Sequence, residues 1–150
     1  MFTLVPVNFF NPATAYDALA EVARIKDGAR VEYREIPQYG AVLIYDISGE
    51  ESDPPGIFHI LSVLPECREY NKLVCSWKDG ALDLAIAQGR SLLLANNYPA
   101  ADFVTALYFI LFAMKSLQLN PEVTTICFRN PLGSDDEMTL YRYFKAVERI

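Results

Sequence analysis

The chain predicts an α/β domain in which a mixed sheet is built from a three-strand antiparallel meander, a helix and a parallel strand. Three observations carry that prediction. Residues 72–79 (KLVCSWKD), 81–88 (ALDLAIAQ) and 91–98 (SLLLANNY) are three strand-like runs in succession. Residues 102–118 form one long segment with only Asp102 and Lys115 charged, and 123–130 (VTTICFRN) is a further β-branched run.

The elements justify themselves in chain order. Phe2 to Val7 is a short aromatic and β-branched strand. Asn11 and Pro12 are an N-cap and first-turn pair opening a helix to about Ile25, with Gly28 just past its end. Residues 30–36 alternate apolar and polar as a half-buried strand does, and 41–47 follow as a second strand after a Pro37/Gly40 turn. The stretch 49–56 is acidic and proline-rich, a loop, and a short helix then runs from Ile57 to Leu64. In the meander, Asp79-Gly80 supplies the positive φ of a type I′ hairpin, and Gln88-Gly89-Arg90 makes a second tight turn. Ser134 to Glu137 reads as a capping box opening a last helix to about Arg149. A front part (1–64) and a back part (72–150) follow, with 49–56 and 66–71 as the hinge segments.

Composition narrows the function. At 150 residues the chain has the length of one domain with a real core. The net charge of −6 argues against a nucleic-acid partner, which a basic face would have to meet; Arg142, Lys145 and Arg149 read as the solvated face of the last helix. Cys67, Cys75 and Cys127 show no C-x-x-C spacing, so a disulfide framework or zinc site is not expected, and a reducing cytoplasm suits them. The start lacks the pattern of a signal peptide. The apolar run 103–114 is shorter than the roughly 20 residues that cross a bilayer, so it reads as a buried helix and no membrane insertion is expected. A helix apolar on nearly all sides needs cover beyond one sheet face, from the front part or from a second polypeptide.

The order of three strands, helix and strand resembles the ribonuclease H-like fold, which is also the repeated half of actin-like ATPases. Nucleases on that fold hold metal ions with carboxylates in the first strand, the following helix and the end of the fourth strand. Here those places read Cys75-Ser76-Trp77, Asp102 and Arg129-Asn130, so nuclease chemistry lacks its ligands. His59 is the one histidine and has no evident nucleophile beside it. Asp83, between Leu82 and Leu84, reads as an exposed strand residue.

The runs FTLVPVNFF, RSLLLANNYPAADFVTALYFILFAMKSLQLNPE and LYRYFKAVE resemble the C-terminal portion of an uncharacterised Bacteroidetes family with an actin-like ATPase fold. The resemblance implies that residues 1–64 end a preceding actin-like half and that 72–150 are a ribonuclease H-like core. It also implies a phosphate loop at the first hairpin, where Ser76 stands at the acidic position, Lys78 where glycine is expected, and Gly80 alone remains. These three are the cofactor-binding candidates, and catalytic and metal residues are none. The reading is a degenerate, non-enzymatic cytoplasmic scaffold or interaction domain without a cofactor. Its partner is another protein, a missing N-terminal half, or a second copy of the chain. One alternative is an ATP-binding protein, with ATP and Mg as ligands, whose phosphate loops lie mainly in an absent N-terminal half. Another is a small-molecule site between the front and back parts.

Overall fold

The computed structural model describes residues 1–48 and 53–150. Part of the expected loop at 49–56 therefore lies outside the described residues. The chain divides into two compact units, Met1–Phe58 and His59–Ile150.

The first unit is a three-stranded antiparallel sheet with a short helix. Strand β1 (Phe2–Pro6) and strand β2 (Arg30–Ile36) flank strand β3 (Ala41–Ile47). Asn11 accepts a hydrogen bond from the Ala13 N–H at 3.0 Å, and Pro12 begins a 3-10 turn. The expected helix to Ile25 is shorter: helix α1 covers only Ala15–Ala20. It buries Ala15 and Leu19 against Val42 and Ile44 of β3. The sequence beyond Ala20 carries Glu21, Arg24, Lys26 and Asp27 and offers that small core only Ala23 and Ile25, so further turns gain little burial. Helix α2 (Gly56–Val63) spans the division between the units and passes into a 3-10 turn, Leu64–Glu66.

The second unit carries the mixed sheet. Strands β4 (Asn71–Lys78), β5 (Ala81–Gln88) and β6 (Ser91–Pro99) form the antiparallel meander. At the first hairpin Asp79 (φ 52°) and Gly80 (φ 75°) both adopt the left-handed region that a type I′ turn requires. Between β5 and β6 the register shifts at Ile86/Ala87, so Leu93 stands as an extra, unpaired residue. Helix α3 (Phe103–Ser116) follows, and strand β7 (Thr125–Phe128) returns parallel to β4. Helix α4 (Ser134–Tyr141) leads to strand β8 (Ala146–Arg149), parallel to β7, and the strand order is β6-β5-β4-β7-β8.

The chain's end departs from expectation in three ways. The last helix stops at Tyr141 instead of running to Arg149, because the free edge of β7 offers residues 146–149 a ladder of their own. Ser134 is the first helical residue and Gly133 the N-cap, with no side-chain cap bond, so the expected capping box does not form. Asp135, Asp136 and Glu137 still place negative charge on the first turn, where the helix dipole favours it. Arg142, Lys145 and Arg149 are exposed but lie at the helix end, beyond it and in β8, not on one helix face.

Alternation along the strands divides the core. Leu73 and Cys75 of β4, Leu82, Leu84 and Ile86 of β5, and Ile126 and Phe128 of β7 turn to one sheet face. There they pack with Phe103, Ala106, Leu107, Ile110, Ala113 and Met114 of α3. Trp77 joins them, its indole N–H donating to the Ala100 carbonyl at 2.9 Å and its ring 5.7 Å from Phe103. The opposite side of α3 stays in solvent: Val104 is 77% exposed, Tyr108 60% and Phe112 57%. Asp102 caps this helix by accepting from the Thr105 N–H at 2.8 Å, a contact that holds its carboxyl below the usual range. Asp102→Ala is expected to lower the denaturant midpoint of the second unit, as loss of an N-cap does. An unchanged midpoint would show the cap to be dispensable.

Candidate functional site

Two features of the second unit concentrate polar chemistry. The first is a row across the sheet face that turns away from α3. Ser76 of β4 lies opposite Asp83 of β5, and Asp83 opposite Asn97 of β6. The Asn97 amide donates to Asp83 Oδ1 at 2.7 Å, and the Asn130 amide, just past β7, donates to Ser76 Oγ at 2.7 Å. Asp83 is half-buried, not exposed as its alternation suggests, because Ser76 and Asn97 flank it on both neighbouring strands. Burial raises its pKa above the usual range, and the Asn97 bond opposes that only in part.

Of the candidate phosphate-loop residues, Ser76 belongs to this row, while Lys78 and Gly80 lie beyond it toward the hairpin. Ser76 is engaged by Asn130, while Lys78 ends β4 exposed to solvent. Gly80 sits in the tight turn, its carbonyl accepting from the Ala100 N–H at 2.8 Å. A Cβ built on Gly80 meets nothing within 4 Å, so its positive φ explains the glycine without any close approach. Ser76 and Asn130, at two of the three places where nuclease chemistry needs carboxylates, are thus in direct contact as neutral groups. Asp102, at the third, is committed to the α3 cap.

The second feature is a cavity of about 550 Å³ at the edge of β7 and β8, which no motif or spacing along the chain announces. Cys67, at the end of the 3-10 turn, and Cys127, in β7, stand there with their Sγ atoms 3.6 Å apart. Lys72 donates to the carbonyls of Cys67 and Glu69, the latter at 2.7 Å. The hydrogen bond shared with Cys127 lowers the Cys67 pKa below that of an ordinary thiol, and the Lys72 charge acts in the same direction. The same bond raises that of Cys127, reinforced by burial. Glu69 accepts from the Thr125 hydroxyl at 2.7 Å, which holds its carboxyl below the usual range. Among the described residues no group of three or more His, Cys, Asp and Glu side chains is placed to hold a metal ion, and no helix is long and apolar enough to cross a membrane.

Residues 58–147, most of the chain, match the family model described as a protein of unknown function, DUF3822. The chain belongs to DUF3822. The matched segment nearly coincides with the second unit, so both polar features of this DUF3822 chain fall within that unit. A crystal structure from Bacteroides thetaiotaomicron, a protein with actin-like ATPase fold and unknown function, is similar with a TM-score of 0.80. The similarity covers 99% of this DUF3822 chain and 64% of the other, at 19% identity. At that identity the likeness shows the fold, in agreement with the resemblance read from the sequence. The DUF3822 chain spans less than two thirds of the solved protein's length. No curated protein matches it.

Proposed function

We propose that this domain is a degenerate actin-like module that serves as a cytoplasmic scaffold and performs no nucleotide hydrolysis. The observation that carries the reading is the 2.7 Å hydrogen bond between Asn130 and Ser76. It joins two neutral side chains where metal-dependent chemistry on this fold would require charged oxygen ligands. Lys78 beside them is a solvated point charge at a two-residue turn that keeps Gly80 as its single glycine, where a phosphate loop of this kind is glycine-rich. The exposed stripe of Val104, Tyr108 and Phe112 on α3 supports the second half of the reading, a polypeptide partner. Aromatic and aliphatic groups of that kind are favoured at protein interfaces.

Thermal unfolding with and without Mg-ATP tests the reading. A ligand held at 100 times its Kd adds about 2.7 kcal/mol to the folded state, a shift of several degrees. The expected result is an unchanged transition up to millimolar Mg-ATP. A concentration-dependent rise would replace the scaffold with a nucleotide-binding domain.

A further inference from the structure

The cavity at the β7–β8 edge holds a pair of nucleophilic groups that the scaffold reading does not use. Cys67 and Cys127 are 60 residues apart in sequence, yet the fold sets their sulfurs 3.6 Å from each other. That separation exceeds a disulfide bond by about 1.5 Å, within reach of a side-chain rotation in a turn. The two thiols are not equivalent. Cys67 caps a 3-10 turn and lies outside any strand ladder, whereas Cys127 sits in a strand paired on both sides. Both border the open volume of about 550 Å³, a size that admits a small molecule. Its rim mixes Arg68 and Arg149 with Glu66, Glu69 and Glu148, a lining suited to a ligand that carries both charges.

We infer that Cys67 and Cys127 form a reversible dithiol site that exchanges with a small zwitterionic disulfide in this cavity. Cys67, as thiolate, attacks one sulfur of the incoming disulfide; that S–S bond breaks and the first thiolate departs. Cys127 then attacks the Cys67 sulfur. Its proton passes to the second departing thiolate, and the Cys67–Cys127 bond closes. The protein loses two electrons and one thiol proton, and the small disulfide is reduced to one thiolate and one thiol, the thiolate taking its proton from water. The third cysteine, Cys75, takes no part, since it is fully buried among the side chains that face α3 and burial pushes its thiol pKa up.

Incubation of the reduced chain with glutathione disulfide, followed by peptide mapping, tests the inference. The expected product is a Cys67–Cys127 cross-link with Cys75 still reduced, undone by added thiol. Cys127→Ser is expected to stall with glutathione on Cys67. Cys67→Ser is expected to take up glutathione at least about ten times more slowly than the parent chain reacts, roughly the gap between a lowered and an ordinary thiol. Three results would overturn the inference: both thiols unmodified, glutathione persisting on Cys67 beside a free Cys127 in the parent chain, or a bond that includes Cys75. Because the parent chain alone gives these readouts, a serine variant that fails to fold leaves the test decisive.

Discussion

Ile110→Ala is expected to destabilise the second unit by about 3 kcal/mol, within the ~2–5 kcal/mol seen for such truncations in cores. Ile110 has no exposed surface and sits at the middle of α3, among residues that pack onto β4, β5 and β7. The truncation removes transfer free energy and leaves a void walled by sheet on one side and helix backbone on the other, neither of which collapses easily. Val104→Ala, on the same helix but 77% exposed, is expected to change stability by no more than about 0.5 kcal/mol. Urea titration of both variants decides the matter. Equal shifts would mean that α3 does not bury the face assigned to it.

Ser76→Asp should be the next most damaging change, costing about 1–3 kcal/mol at neutral pH. The new carboxylate would lie directly opposite Asp83, whose pKa burial already raises. Asn130 could still donate to one oxygen, and Lys78, two residues along on the same strand, is exposed to solvent, so its charge offsets two adjacent carboxylates only weakly. The sign follows from the two states. With both folded pKa values above their unfolded ones, the folded form binds the extra proton, so the penalty is full at neutral pH. It fades as pH falls through the folded pKa values and is gone below the ordinary aspartate pKa. Ser76→Asn, which adds no charge, should cost less and show no such pH dependence. Recovery of the Asp variant by millimolar Mg²⁺ would be the informative surprise. It would mean that the strand positions retain ligating geometry, and the non-enzymatic reading would lose its support.

Much of the second unit is legible in the sequence because local signals and long-range packing agree there. Asp79-Gly80 forces one hairpin, the alternation of Leu82, Leu84 and Ile86 fixes the face of β5, and Asp102 marks the start of α3. Where the two levels part, the sequence misleads. LYRYFKAVERI carries helix-forming residues, yet the open side of β7 takes residues 146–149 as a strand, closing with the Ile150 N–H on the Phe128 carbonyl at 3.0 Å. The Asn130–Ser76 contact joins residues 54 apart, and the Cys67–Cys127 pair likewise depends on β4 and β7 lying side by side. No spacing along the chain announces such neighbours. Asp83 departs from expectation for a related reason: alternation gives the face of a side chain but not what stands on the adjacent strands.

The displaced register at Leu93 bears on how a partner could attach. β6 is an outer margin of the sheet, and a margin invites another backbone to lie alongside it. Here an incoming strand would find its hydrogen-bond rhythm broken at Leu93 and a donor missing at Pro99. The far margin, β8, is only four residues long and carries Glu148 and Arg149. Growth of the sheet is therefore blunted on both flanks, and attachment by side chains is favoured over templated addition.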